Sequence, residues 1–174
     1  VCVLPKYGSL VVVDAFGGDY VVVEDPPGPS ARIVHRSNLV GHNVPCLVAR
    51  EDQQWVVFPF QLLNPETYSV QGDITWGGLL SNNIRWLKTD RLLSLSDYEV
   101  IKQGKFVPIG QVGNGGGDPN SLQFDSGDRF AVTLGGIDRV AVGRVDQPKL
   151  QQFAVGLHPI ASLFDTTANR LFVL

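Results

Sequence analysis

The sequence is short of charged side chains. Only 18% of its 174 residues are Asp, Glu, Lys or Arg, whereas an ordinary soluble domain has about 25%. The formal net charge is −3, and the few Lys and Arg residues are scattered, so they form no basic patch of the kind that binds nucleic acid. No apolar run approaches the roughly 20 residues that a membrane-spanning helix needs. These absences argue against direct nucleic-acid binding and against membrane-spanning helices.

Cysteine and histidine are also scarce, and methionine is absent. Two cysteines, Cys2 and Cys46, are too few for a disulfide framework, so unbridged, partly buried thiols are expected. The histidines His35, His42 and His158 lie apart from one another, without thiols or carboxylates at metal-ligand spacing. The sequence therefore predicts no catalytic residues, no metal site, no cofactor and no enzymatic activity.

Two short motifs are similar to the paired aspartates of aspartic proteases, one at Asp125-Ser126-Gly127 and one at Asp165-Thr166-Thr167. Those enzymes need two carboxylates that share a proton, carried by the mirrored loops of two similar lobes. The second motif lacks the glycine, and the chain between the two aspartates is too short for the usual lobe. Because Asp, Ser and Gly favour β-turns, ordinary turns are the preferred interpretation and a protease is the minor one.

What the chain does contain is short aliphatic runs between turn residues, and 44% of its residues are hydrophobic. The valine runs at Ser9–Val13 and Tyr20–Val23 flank a glycine loop and predict a hairpin. Consecutive valines, rather than strict alternation, indicate sheets that are covered on both faces. A second hairpin is predicted around Gly135-Gly136. A two-residue turn there would pair Leu134 with Ile137 and Val132 with Arg139.

About a dozen short strands at roughly ten-residue spacing predict an all-β fold, an antiparallel sandwich or barrel. The strand count fits a single jelly roll of about eight core strands plus edge strands. Helix signals are limited to single turns at Phe60–Leu63 and after Thr89. Since no change of composition divides the chain, residues 1–174 are predicted to form one domain.

The apolar content predicts association with other chains. A chain of this size buries only about 70% of the surface that its unfolded form exposes, which leaves a surplus of apolar surface. Both ends are apolar as well, whereas free termini are usually polar and frayed. We therefore expect the terminal strands to be ordered against a sheet, of this chain or of a neighbouring subunit. The candidate interface residues are Val1, Cys2, Val3, Leu4, Trp76, Leu171, Phe172, Val173 and Leu174.

The tryptophans allow an alternative function. Trp76 lies beside the glycines of Gly77-Gly78, where an exposed indole could stack on a sugar ring. Trp55 and Trp86 could contribute to the same platform. Because aromatic residues more commonly fill cores and contacts, a carbohydrate-binding or attachment β-sandwich is the second hypothesis.

Over its whole length the sequence resembles the smaller major capsid protein of tailless icosahedral phages that contain an internal membrane and infect thermophiles. The resemblance rests on the length, the valine runs, and the stretches Val1-Cys2-Val3-Leu4-Pro5, Trp76-Gly77-Gly78 and Asn82-Asn83-Ile84-Arg85-Trp86. It implies an upright single β-barrel that forms homodimers and packs beside a second, larger capsid protein. It also implies location in the virion, near an internal lipid membrane, after synthesis in the host cytoplasm.

The leading hypothesis from the sequence is thus a structural virion protein, a major capsid subunit that self-associates and co-assembles into an icosahedral shell. The family that it resembles has no active site. The acidic net charge argues against direct electrostatic binding to anionic lipid.

Overall fold

The computed structural model describes residues 1–75, 78–94, 104–111 and 114–174, and strands dominate these residues. The two short helices are α1 (Gln71–Thr75) and α2 (Thr89–Leu92). The strands are β1 (Cys2–Leu4), β2 (Ser9–Val13), β3 (Asp19–Glu24), β4 (Arg32–Asn38), β5 (Val48–Ala49), β6 (Trp55–Leu63), β7 (Leu80–Lys88), β8 (Lys105–Pro108), β9 (Pro119–Phe124), β10 (Arg129–Leu134), β11 (Arg139–Arg144), β12 (Gln147–Ala154), β13 (Ser162–Asp165) and β14 (Arg170–Val173).

The strands form four sheets. The first has the order β1-β2-β3-β4, the second β5-β6-β7-β8 and the third β12-β11-β10-β9, while β13 and β14 form a hairpin. The predicted all-β, antiparallel class is confirmed and fits a sandwich. Within the described residues no sheet closes into a barrel, and neighbours in each sheet are strands consecutive in the chain. A jelly roll also pairs strands that are distant in the chain, and such pairs do not occur within these four sheets.

The chain divides into two compact units. Unit 1 comprises Val1–Gln61 and Arg85–Phe106, and unit 2 comprises Leu62–Ile84 and Val107–Leu174. The first sheet therefore belongs to unit 1, and the third sheet and the β13–β14 hairpin belong to unit 2. Strands β6, β7 and β8 contain residues of both units. The expectation of a single domain over residues 1–174 stays a prediction.

A continuous cluster of buried side chains stabilises unit 1. Successive residues of a strand point to opposite faces of its sheet, and the apolar residues on one face of β1, β2 and β3 enter this cluster. The hydroxyl of Tyr20 donates a hydrogen bond to the backbone carbonyl of Leu92 at 2.7 Å, which gives the buried phenol its polar partner. The buried members are Cys2, Leu4, Val11, Tyr20, Val22, Leu39, Val44, Leu47, Val56, Phe58, Phe60, Leu87 and Leu92.

The hairpin at Gly135-Gly136 forms with a longer turn than the sequence predicts. Gly135–Ile137 makes one 3-10 turn, and Asp138 follows it with a φ of 55°. Aspartate adopts this left-handed conformation more readily than most residues, and the extra residues shift the pairing. The observed pairs are Leu134 with Arg139 and Val132 with Ala141. The predicted register is therefore wrong by two residues and Ile137 lies in the turn, although Val132, Leu134 and Arg139 still share a face.

One of the two predicted helical turns is wrong. Phe60–Leu63 belongs to the strand β6, where Gln61 exchanges two backbone hydrogen bonds with His42, at 2.7 and 2.8 Å. The turn after Thr89 is confirmed as α2. The Thr89 hydroxyl donates to the backbone carbonyl of Gln53 at 2.7 Å instead of capping the helix, so it holds α2 to a neighbouring loop.

Candidate functional site

The first sheet is apolar on both of its faces. Val11 and Val22 lie on the buried face, in the core of unit 1. The register places Val3, Leu10, Val23 and Ile33 opposite one another in a single row across all four strands. Since cross-strand partners point to the same side, this row lies on the other face. We call that face the outer face, and its aliphatic residues are Val3, Leu10, Val12, Val21, Val23 and Ile33.

The outer face is exposed most at the two edges of the sheet. Val3 is 59% exposed and Ile33 is 47% exposed, and the four aliphatic residues between them are half-buried. An antiparallel sheet that faces water usually carries polar side chains on its solvent side. An aliphatic row from edge to edge instead has the composition of a contact surface.

Polar side chains border one end of the outer face. A hollow of about 640 Å³ lies there, lined by Val12 and Val21 and by the charged residues Asp14, Asp19 and Arg36. The Asp14 carboxylate accepts hydrogen bonds from two backbone N–H groups of its own loop, at 3.2 and 3.0 Å. Asp19 accepts one from the side-chain amide of Asn38 at 2.6 Å. The two carboxylates thus stabilise the ends of strands β2–β4 and give the apolar face a charged border.

The β13–β14 hairpin carries a second exposed apolar row. Leu163 lies opposite Phe172, and these side chains are 64% and 52% exposed. The neighbours of Leu163 point the other way: Ser162 is buried, and the Phe164 ring centroid lies 5.7 Å from the guanidinium carbon of Arg129. One side of the hairpin is therefore held by the third sheet, and the side with Leu163 and Phe172 is open.

Arg129 connects the hairpin to an ion pair at the β9–β10 turn. Its Nε donates to Asp125 at 2.5 Å, and its Nη1 donates to the side chain of Asn169 at 2.8 Å. Asp125 also accepts hydrogen bonds from the backbone N–H groups of Gly127 and Arg129, at 2.9 and 3.0 Å. Burial acts to raise the pKa of Asp125, but these hydrogen bonds and the charge of Arg129 outweigh it, so the pKa lies below its ordinary value.

The two aspartates of the protease-like motifs both stabilise turns. Asp125 binds the backbone of its own turn and Arg129. The carboxylate of Asp165 accepts a hydrogen bond from the backbone N–H of Ala168 at 3.0 Å, within the β13–β14 turn. These contacts agree with the turn interpretation of both motifs.

The expectation that the terminal strands are ordered is confirmed, because β1 pairs with β2 and β14 pairs with β13. Their side chains alternate between the two faces. The exposed ones are Val1, Val3, Phe172 and Leu174, the half-buried ones are Leu171 and Val173, and the buried ones are Cys2 and Leu4. Burial raises the pKa of the Cys2 thiol. Trp76 lies outside the described residues, and the interface role of the whole set stays a prediction.

The sequence interpretation missed the interior of the outer face and missed Leu163. A usable signal was present in the two valine runs, Val11-Val12-Val13 and Val21-Val22-Val23. In a strand, adjacent residues lie on opposite faces, so each run must place aliphatic side chains on both sides of its sheet. The predicted hairpin between these runs would then have placed Val12 beside Val21, as observed.

Among the residues that the structure describes, no group of three or more His, Cys, Asp or Glu side chains could hold a metal ion. Within the same residues Cys2 and Cys46 form no disulfide. No helix in the described part of the chain has the length and apolar character that crossing a membrane requires.

No family model and no curated protein matches the sequence. The fold is similar to a solved structure of Kuenenia stuttgartiensis hydrazine synthase, with 15% identity and a TM-score of 0.68 over 99% of this chain and 57% of that chain. A functionally unknown protein from Desulfotomaculum acetoxidans matches with 16% identity and a TM-score of 0.47, over 96% of this chain and 59% of that one. The chain thus spans less than two thirds of either protein. The likeness to the hydrazine synthase structure shows a shared fold alone.

Proposed function

We propose that this protein is a structural subunit that works by associating with other protein chains, and that the outer face is one of its contact surfaces. The observation that carries the proposal is the row of Val3, Leu10, Val23 and Ile33, which is aliphatic across four strands and exposed at both edges. The cores of protein interfaces are depleted of charge in the same way. A flat aliphatic face can pack against another sheet at a spacing of about 10 Å.

The border of the outer face also fits a contact surface. Interfaces combine an apolar centre with a polar rim, and Asp14, Asp19 and Arg36 lie at one end of the aliphatic rows. The low share of charged residues, 18%, is consistent with a chain that keeps part of its surface against other chains.

The finer form of this proposal is the capsid subunit that the sequence resemblance implies, one that dimerises and packs beside a larger capsid protein in a virion. This form rests on the resemblance alone, since neither solved structure named above is described as a capsid protein. The carbohydrate-binding alternative depends on Trp76, which lies outside the described residues, because Trp86 is buried and offers no exposed ring to a sugar. The coarser proposal of an associating structural subunit depends on neither.

The experiment is a mass measurement by light scattering at micromolar concentration, on the wild-type chain and on two lysine variants. Ile33→Lys places a charge on the outer face, where its burial in a contact would be costly. Ala31→Lys adds the same charge at an exposed position two residues away and is the matched control. We expect a wild-type mass above that of one chain, a smaller species for Ile33→Lys, and no change for Ala31→Lys. A wild-type mass of one chain would refute the proposal.

A further inference from the structure

Asn114-Gly115 is the one Asn-Gly pair of the sequence, and it lies between β8 and β9. Backbone hydrogen bonds of 2.9 Å in both directions pair Asn114 with Gln111, and Gly115 is exposed. The side chain of an asparagine is an amide, and the backbone nitrogen of the next residue can attack its Cγ. Glycine allows this attack most easily, because it has no Cβ and reaches backbone conformations that other residues avoid. The pair is therefore a candidate for a modification that the chain performs on itself.

The structure leaves both the attacking nitrogen and the leaving group of this pair accessible. Within the described part of the chain, no hydrogen bond holds the N–H of Gly115 or the Nδ2 of Asn114. A Cβ built on Gly115 would meet no atom within 4 Å, so the peptide group has open space around it. Solvent base can then take the proton of the Gly115 nitrogen, and water can reach the product.

Arg139 supplies electrostatic help at the atom where charge develops. Its Nη1 donates to Oδ1 of Asn114 at 2.7 Å. Attack on Cγ builds negative charge on Oδ1, and a cationic donor already aimed at that atom stabilises the charge. Gln152 fixes this arrangement, because its Oε1 accepts from the same Nη1 at 3.3 Å and its Nε2 donates to the carbonyl of Gly115 at 2.9 Å. The contacts that attach this segment to β11 and β12 thus also prepare the amide for attack.

We propose that Asn114 is a site of spontaneous deamidation, promoted by Arg139. The nitrogen of Gly115 gives its proton to solvent base and forms a bond to Cγ of Asn114. The bond between Cγ and Nδ2 breaks, and Nδ2 takes up a proton and leaves as ammonia. The chain then contains a cyclic succinimide. Water that attacks Cγ opens the ring to aspartate, and water that attacks the main-chain carbonyl carbon opens it to isoaspartate.

The two products act on this segment in opposite ways. Aspartate keeps the normal backbone and places a carboxylate where Arg139 already donates, and a charge-assisted hydrogen bond is stronger than the neutral one. Isoaspartate runs the backbone through the side chain and adds a carbon to it, which disrupts the reciprocal hydrogen bonds with Gln111. Both products make the formal net charge, which is −3, more negative. Deamidation therefore strengthens the attachment to β11 in one fraction of the chains and weakens it in the other.

Asn169 is a control within the same chain for the arginine contact. Its Oδ1 accepts from Nη1 of Arg129 at 2.8 Å, a contact of the same kind as that between Asn114 and Arg139. The next residue is Arg170, which has a long side chain and begins β14, so its backbone is held in the hairpin. If the arginine contact were sufficient, Asn169 would react as well.

Asn120 is the control for a small following residue. The N–H of Ser121 donates to the Thr133 hydroxyl at 3.0 Å, and Nδ2 of Asn120 donates to the carbonyl of Pro159 at 3.1 Å. Both the attacking nitrogen and the leaving group are therefore engaged, and strand β9 holds the backbone extended. We expect Asn120 to keep its amide.

The first test follows all three asparagines in one sample. The folded wild-type chain is incubated at mildly alkaline pH in water enriched in heavy oxygen, then digested in ordinary water, and its peptides are analysed by mass spectrometry. We expect the Asn114 peptide to convert into aspartate and isoaspartate forms that both carry heavy oxygen, while the Asn120 and Asn169 peptides keep their amides. Conversion at Asn114 no greater than at these two controls would overturn the proposal. Aspartate without isoaspartate would overturn the route through the ring.

The second test compares the rate in two variants whose folding is checked by thermal melting. Gly115→Ala adds a Cβ that meets no atom, at a position without positive φ, and should slow deamidation roughly tenfold because alanine reaches the attacking conformation less easily. Arg139→Leu removes the donor from Oδ1 and should slow it roughly tenfold or more. A Gly115→Ala chain that reacts at the wild-type rate overturns the attack by the Gly115 nitrogen. A folded Arg139→Leu chain that reacts as fast as the wild type overturns the role of Arg139, and if that variant fails to fold, Gly115→Ala and the two control asparagines decide.

Discussion

Val21 and Val22 are adjacent and chemically identical, and the structure predicts that shortening them has very different consequences. Val22 is 1% exposed within the core of unit 1, and Val21 is half-buried on the outer face. Val22→Ala removes two buried methyl groups, worth about 1.6 kcal/mol at about 0.8 kcal/mol each, and the cavity adds about 1 kcal/mol. Val21→Ala should cost about 0.5 kcal/mol. The loss of β-strand preference is common to both variants and cancels in the comparison.

The assay is urea unfolding followed by tryptophan fluorescence, with the free energy of unfolding compared at one protein concentration. A fixed concentration is needed because association stabilises the folded state by mass action. Val22→Ala should lower the free energy of unfolding by about 2 kcal/mol more than Val21→Ala does. Two losses that agree to within about 0.5 kcal/mol would refute the assignment of Val22 to the core and of Val21 to the outer face.

Two further predictions concern a charge and a strained backbone position. Asp125→Asn should lower stability near neutral pH by about 1 kcal/mol. Because the folded-state pKa of Asp125 is lowered, the contribution of its carboxylate is complete above the unfolded pKa of about 3.9 and disappears as the pH falls through the folded pKa. Thermal unfolding of both chains from pH 7 downwards should therefore show their difference shrinking below about pH 4, and a constant difference would contradict the role of the ion pair. Val40 has a φ of 51°, which is unfavourable for a β-branched residue. Asparagine tolerates this conformation better, so Val40→Asn should raise the melting temperature by about 2–4 °C. A lower melting temperature would show that the packing of Val40 outweighs its backbone strain.

Local patterns were sufficient to predict most of the strands of the first sheet. The valine runs of β2 and β3 are bounded by glycine and proline, so their ends are visible in the sequence. The apolar ends also predicted β1 and β14 correctly. Phe60–Leu63 was misassigned because a short apolar run does not distinguish a buried strand from a helical turn. It is a strand because β6 pairs with β5 and β7 and Gln61 also bonds to His42, and the local sequence reveals none of these partners.

Turn geometry and the outer face needed three-dimensional information. The turn after Leu134 is longer than the glycine pair suggests, because Asp138 adopts a left-handed conformation that aspartate tolerates but does not require. The valine triplets predicted a sheet that is covered on both faces. In the single chain the face that carries Val22 is covered, whereas the face that carries Val21 is partly exposed to water. Which of two apolar faces is covered depends on strand pairing and on the sheet that packs next to it. Both are long-range properties.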